Sequence, residues 1–273
     1  MPIAFLPHRG VVELSGDDRI SFLQGLVSND VAATAAGKAV WAALLTPQGK
    51  WVADFFVVAE GERLLIDCER EQAAALVAKL GRFRLRSKVA LRDASAEFAV
   101  HAGWSCAAPS GGIAFDDPRL PAAGWRVLAP APLHAAHGAE AYDLHRLELG
   151  LPDGSRDMES EKSVLLEAGF DELHGVSWSK GCYMGQELTA RTRYRGLVKR
   201  RLVPVAVDGP LPQHGAPVLR GEAEVGEMRS GLGTHGLALL RLAALEDGAE
   251  LRCGEAVLRP HVPDWMRLPE KAA

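Results

Sequence analysis

Cysteine is scarce and scattered in this 273-residue chain: Cys68, Cys106, Cys182 and Cys253 lie far apart, with no C-x-x-C and no C-x-x-x-H near any of them. That spacing encodes neither a disulfide framework nor a self-contained zinc or iron–sulfur site, so no metal ligand is assigned and any metal would be shared with a partner. The nine histidines form no two-histidine helical pair. No apolar run approaches the roughly 20 residues needed to span a bilayer, and the opening "MPIAFLPHRG" lacks the basic and apolar segments of a secretory signal. These absences predict a cytoplasmic protein without a membrane partner. The net charge of -4 excludes a surface that coats nucleic acid as a whole, so a direct nucleic-acid partner is not expected and any polyanion site must be local. "GGIAFDD" has no Lys-Ser/Thr after it and is no phosphate loop.

What the chain does have is ordinary globular composition, 48% hydrophobic and 24% charged, in two or three modest units. "VVELSGDDRISFLQGLVSNDV" predicts a strand and then a helix, with Ser15 and Asp18 at capping-box spacing. "VWAALLTPQGKWVADFFVV" predicts a hairpin around Pro47-Gln48-Gly49. "ERLLIDC" reads as a strand and "EREQAAALVAKLG" as a helix stopped by Gly81. "RFRLRSKVALRD" reads as a turn into a strand. "AEFAVHAGW" and "GWRVLAP" read as strands flanking a mobile loop, "SCAAPSGGIAFDDPRLPAA". Helices are expected in "GAEAYDLHRLELG", ended by Gly150, in "ESEKSVLLEAGF" and in "GQELTARTRYRG". After Gly196 the texture is all β, with Gly and Pro at close intervals, and the tail "RLPEKAA" reads as frayed. The fold class is therefore α+β, divided into a body over 1–198 and a β domain over 199–273.

Three groups carry candidate chemistry. A cysteine is ordinarily an inert buried side chain, but Cys182 in "KGCYMGQE" is framed by Gly181 and Gly185, preceded by Lys180 and followed by a helix start, all of which favour a reactive thiolate. Beside it, Arg191, Arg193, Arg195, Lys199, Arg200 and Arg201 fall in eleven residues without an acid; Arg191 and Arg195 share a helix face and offer two cationic forks, though such a run is as often a solvated surface. A second basic group, Lys79, Arg82, Arg84, Arg86 and Lys88, has no such neighbour and reads as solvated surface. Two carboxylates complete the set. Asp54 lies among Val52, Phe55, Phe56 and Val57, so an inward-facing side chain needs a hydrogen-bond partner or a ligand with donors. Glu148 lies at a helix end where its charge opposes the dipole, which implies a local donor, Arg146 among the candidates.

The stretch "SWSKGCYMGQELTARTRYRGLVKRRLVPV" closely resembles the signature of the YgfZ family, folate-binding proteins that support maturation or repair of iron–sulfur enzymes and are related to the aminomethyltransferase, or T-protein, of the glycine cleavage system. "LSGDDRISFLQGLVSNDV" with Asn29 and Asp30, "LLTPQGKWVADFFV", "GEMRSG" and "GLALLRL" are similar to other family segments. The resemblance implies a T-protein-like ring of two α+β subdomains and a C-terminal β-barrel-like domain around a central folate channel. It implies Cys182 as the essential residue, with Lys180, Gly181, Tyr183, Gly185, Gln186 and Glu187 forming the centre around it. By the T-protein relation, Glu148 of "RLELG" falls at a pterin-binding glutamate and Asp54 near a pair of aspartates, one of which is Ala53 here, while one glycine is Lys50. Tetrahydrofolate, or another reduced folate, is the implied cofactor, its anionic tail suited to Arg191 and Arg195. The implied function is an accessory factor with iron–sulfur client or assembly proteins as partners. The alternatives are a tetrahydrofolate-dependent one-carbon transferase using Asp54 as acid/base group, or a non-catalytic adaptor.

Overall fold

A computed structural model describes residues 2–34, 37–135, 137–245 and 250–268. In chain order the elements are β1 (Ile3–Phe5), β2 (Arg9–Ser15), α1 (Arg19–Gln24), β3 (Ala39–Leu45), β4 (Trp51–Glu60), β5 (Arg63–Glu69), α2 (Ala73–Gly81), β6 (Ala90–Asp93), β7 (Ala99–Gly103), β8 (Ile113–Asp116), β9 (Trp125–Ala129), α3 (Ala139–Leu149) and α4 (Gln186–Tyr194). The strands β10 (Arg200–Asp208), β11 (Pro217–Arg220), β12 (Ala223–Leu232), β13 (His235–Arg241), β14 (Leu251–Cys253) and β15 (Ala256–Pro260) follow. Among the described residues no helix is long and apolar enough to cross a membrane.

Two antiparallel sheets make the body. One has the order β3-β4-β5-β2-β6 and the other β1-β7-β9-β8. The chain interleaves them at once: β1 pairs Ile3 with Gly103 in the second sheet, and β2 then enters the first beside β5. The last six strands close into a barrel when Val205–Asp208 of β10 pair with Val257–Pro260 of β15. The fold is thus mixed α+β with a closed six-stranded C-terminal barrel.

The alternation of each strand decides where the cores lie. Val12, Leu14, Ala42, Leu44, Phe55 and Val57 cover one face of the first sheet and pack on Phe22, Leu23, Leu76 and Leu80 of α1 and α2. The opposite face contributes Trp41, Trp51, Phe56 and Leu65 to a larger core that also holds Tyr142, Phe170 and Tyr183 and takes Leu202, Leu237 and Leu239 from the barrel's outer side. The body and the barrel therefore share one apolar centre.

Local expectations fared unevenly. α3 ends on a left-handed Gly150, as its sequence predicts, whereas Gly81 is the last helical residue of α2 and the cap is Arg82 in the right-handed region. The capping box is absent: Asp18 makes no side-chain cap bond, because its carboxylate accepts the backbone N–H of Lys88 at 2.7 Å. The long loop after Trp104 is not featureless. It contains β8, and Asp117 and Arg119 are buried in a two-bond ion pair. The helix expected over 159–170 is reduced to a short 3-10 turn, Leu165–Ala168. Its N-terminal part instead bonds to Trp51, with Glu161 N–H donating to the Trp51 carbonyl and Trp51 N–H donating to the Ser163 carbonyl, which removes those groups from helical pairing. The fraying expected of the tail falls mainly on 269–273, outside the described residues.

Candidate functional site

The "KGCYMGQE" segment is a turn between the end of α1 and the start of α4, and each of its residues has a separate task. Lys180 extends its ammonium to three backbone carbonyls, those of Gln24 at 2.6 Å, Val27 at 2.6 Å and Asn29 at 2.8 Å. Its three N–H bonds are thereby all engaged. Burial pushes its pKa down to about 8, so the ammonium these carbonyls require is still the major form at pH 7. Lys180 thus ties the turn to α1, and its charge is directed at carbonyl oxygens rather than offered to the neighbouring thiol. Met184 N–H bonds the Gly25 carbonyl, adding a second tie to the same helix end.

Gly185 and the hairpin turn explain each other. Gly185 has φ +80, and a Cβ there would lie 2.4 Å from the Thr46 carbonyl oxygen; Gly49 has φ +79, and a Cβ there would lie 2.6 Å from the Gly185 carbonyl oxygen. The two glycines pack back to back, so the "TPQG" turn and the motif turn each need the other's missing side chain. Gly181 differs: its φ is +92, but a Cβ there would meet nothing within 4 Å, so only conformation is at stake. Tyr183 is buried in the large core, its ring centre 5.2 Å from the Lys180 ammonium. Gln186 accepts the Tyr183 N–H at 3.2 Å as it opens α4, and Glu187 is exposed in the first turn, where its charge suits the dipole. Cys182 itself is a free, exposed thiol, whereas Cys68 and Cys253 are buried and burial pushes both their pKa values up, Cys68 to about 12.

The other sequence candidates are dispersed. Asp54 is buried with both oxygens occupied, Oδ2 by Trp41 Nε1 at 2.9 Å and Oδ1 by Trp51 Nε1 at 3.1 Å. Desolvation pushes its pKa up to about 6 against the opposing pull of the Trp41 indole and the Arg9 charge. Glu148 is exposed near the end of α3, and Arg146, offered as its local donor, is buried and engaged with Asp143, Asp157, Leu151 and Ser230 instead. Arg191 and Arg195 are exposed on and just past α4.

The recess where body meets barrel is lined by residues that sequence reading did not single out as a site. A cavity of about 580 Å³ is bounded by Leu120, Asp171, Glu172, Arg193, Arg201 and Trp265, among others. Glu172 accepts from Arg201 at 2.8 Å and from the Arg267 N–H at 3.3 Å, yet its Oε2 and the Arg201 Nε are buried without partners. Arg193 pairs with Asp171 at 3.3 Å and lies 4.0 Å over the Trp178 ring. A second recess of about 630 Å³ shares Leu120 and His174 with the first. None of the lining residues of either recess is Cys182, Asp54 or Glu148. Arg193, on the cavity, follows Cys182 by eleven residues in the chain, and Trp178, four residues before the thiol, packs under the Arg193 guanidinium. Glu172 lies in "FDELHG", where nothing local distinguishes it from a surface acid. Among the described residues, no group of three His, Cys, Asp or Glu side chains is placed to hold a metal.

Comparison with known proteins supplies the family. Residues 199–268 match the model of the CAF17 C-terminal β-barrel domain. The iron–sulfur cluster assembly factor IBA57 homolog, mitochondrial, of Mycosarcoma maydis is 34% identical, covering 96% of this chain and 84% of its own length. The mitochondrial IBA57 of Homo sapiens is 32% identical, covering 95% and 84%. The crystal structure of the glycine cleavage system aminomethyltransferase T from Bartonella henselae superposes with a TM-score of 0.77 over 97% of this chain and 86% of that one; at 16% identity it shows the fold alone. The cytoplasmic location expected from the opening residues is overturned by these relatives, which are named as mitochondrial proteins. Over nearly its whole length, then, this chain belongs to the IBA57 family of iron–sulfur cluster assembly factors.

Proposed function

We propose that the chain is a folate-binding accessory factor for the assembly, maturation or repair of iron–sulfur proteins, in the mitochondrial setting of its relatives, and that Cys182 is the residue through which it acts. One observation carries this reading. Lys180, Tyr183, Met184, Gly185 and Gln186 are each tied to α1, the core, the hairpin turn or α4, while Cys182 between them is left open to solvent. A segment whose backbone is fixed from both sides to present one sulfur suits a partner's cluster, persulfide or thiol.

The cavity beside α4 fits a reduced folate in chemical kind. Glu172 and Asp171 offer acceptors for pterin N–H groups, Trp265 an apolar wall, and Arg193 and Arg267 cations for a glutamate tail. The partnerless Glu172 Oε2 and Arg201 Nε are the acceptor and donor that such a ring would complete. Arg191 and Arg195, exposed outside the cavity, would meet only a protruding tail. When bound, a reduced folate supplies electrons or a one-carbon carrier. The chain's own part is to hold the ring at the body–barrel seam and to keep Cys182 exposed on the turn that leads into α4.

The transferase alternative has less support, because Asp54 has both oxygens held by indoles and does not line the cavity. Calorimetric titration of tetrahydrofolate should show binding that Glu172→Gln weakens about tenfold. Cys182→Ala should bind folate unchanged yet fail to restore iron–sulfur enzyme activity in a deletion strain. Full restoration by Cys182→Ala removes the cysteine role, and absence of folate binding with activity intact favours a plain adaptor.

A further inference from the structure

The basic group that sequence alone assigns to solvated surface is displayed in a way that surface solvation does not require. After α2 the chain makes a tight loop over Arg82–Lys88 in which Arg82, Phe83, Arg84, Leu85, Arg86 and Lys88 are all exposed. Leu85 is 89% exposed and Phe83 38% exposed. Among the described residues the side chains of Arg82, Arg84, Arg86 and Lys88 form no ion pair, although Arg9, Arg63, Arg119, Arg126, Arg146 and Arg229 are all ion-paired. In a chain of net charge -4, four cations outside any ion pair, with the single Asp18 carboxylate at the loop's base, surround two exposed apolar side chains and form a local field of the opposite sign.

The loop is held in shape. Phe83, Arg84, Ser87 and Val89 donate their N–H groups to Leu80, Gly81, Arg84 and Ser87, and Lys88 donates to Asp18. Leu85 sits at φ +42, in the left-handed region where glycine or asparagine is at ease and leucine is not. The fold thus maintains a strained backbone that leaves 89% of Leu85 open to water. Rigid display of an apolar tip inside a cationic ring is what a preorganised docking element requires.

Its position gives it a partner. Asp18, at the N-terminal end of α1, anchors the base of this loop, and the other end of α1 anchors the Cys182 turn through Lys180 and Met184. Six helical residues separate the two anchors, on the order of 10 Å at 1.5 Å per residue. We propose that the Arg82–Lys88 loop docks an acidic face of the iron–sulfur protein that Cys182 serves, so that recognition and sulfur chemistry occupy the two ends of one short helix. This rests on the cysteine role proposed above.

The test uses the full chain in a deletion strain, with iron–sulfur enzyme activity as readout. The triple variant Arg82→Glu/Arg84→Glu/Arg86→Glu should lower restored activity about tenfold while keeping its Tm and tetrahydrofolate affinity. Leu85→Asn should raise the Tm, since asparagine tolerates this φ, and still lower activity; a merely structural loop would not lose function as it gains stability. If the triple variant restores activity fully while Cys182→Ala does not, the docking proposal fails and the cysteine role survives. If Cys182→Ala restores activity, the cysteine role fails first. Sedimentation with phosphatidylserine vesicles, but not phosphatidylcholine vesicles, by the wild type and not the triple variant would assign the loop to membrane instead and overturn the proposal.

Discussion

Lys180 and Asn29 are joined across 151 residues by an ammonium-to-carbonyl bond of 2.8 Å, one of three that converge on the same nitrogen. Lys180→Met removes the donor and leaves three carbonyls pointing at a methyl group, so a loss of about 2–3 kcal/mol is expected in urea unfolding with an unchanged m-value. Lys180→Arg should not restore it, because a planar fork does not address three carbonyls around a point.

Gly185→Ala and Gly181→Ala separate clash from conformation. At Gly185 a methyl group meets the Thr46 carbonyl oxygen at 2.4 Å, whereas at Gly181 it meets open space. The first should cost more than about 3 kcal/mol and disturb the Cys182 turn, and the second about 1–2 kcal/mol from positive φ alone. Denaturation midpoints of the two variants check the order.

Asp54 predicts a pH dependence of stability. Its folded pKa, about 6, lies above the ordinary 3.8, so its favourable contribution is complete below about pH 4 and is lost as pH rises through 6. Relative to Asp54→Asn, which does not titrate, the wild type should lose up to about 3 kcal/mol between pH 4 and 7. Parallel urea titrations across that range, with the difference between the two proteins plotted against pH, give the check; a flat difference contradicts the assignment.

Tyr142 accepts hydrogen bonds from Arg119 at 3.1 Å and Arg126 at 2.8 Å, deep in the seam between the two sheets and α3. Tyr142→Phe leaves two buried guanidinium N–H groups without an acceptor, and a loss of about 2–4 kcal/mol should follow in equilibrium unfolding.

Thiol accessibility predicts an order of alkylation. With limiting iodoacetamide at pH 7.5, Cys182 should be modified first and Cys68 last, since burial both shields Cys68 and holds its thiol protonated. Peptide mapping over time resolves the order.

Local signals carried much of the fold. Gly150 ends its helix in the left-handed region because helix termination is written within a few residues, α2 stops just short of Arg82 with Gly81 still helical, and the "TPQG" hairpin and the short strands of the barrel are equally local. What was illegible is non-local. The segment over 159–170 has helical composition but gives its backbone groups to Trp51, more than a hundred residues earlier. Lys180 looks like a charge placed beside a cysteine until the carbonyls of Gln24, Val27 and Asn29 arrive from the other end of the chain. The cavity draws Leu120, Glu172, Arg193, Arg201 and Trp265 from four separated stretches, none with a pattern that marks it. The motif around Cys182 could be recognised, but which of its residues are struts and which is displayed depends on contacts made elsewhere.

The early exchange of β1 into the second sheet has a consequence for how such a body can be taken apart. Because the strand nearest the N-terminus completes the later sheet while its immediate successor opens the earlier one, no single scission between Phe5 and Ala99 leaves both sheets whole in their own fragments. Fragment expression or split-reporter insertion within this region should fail wherever it parts Ile3–Phe5 from Ala99–Gly103, and recombination would have to transmit the pair as one heritable piece.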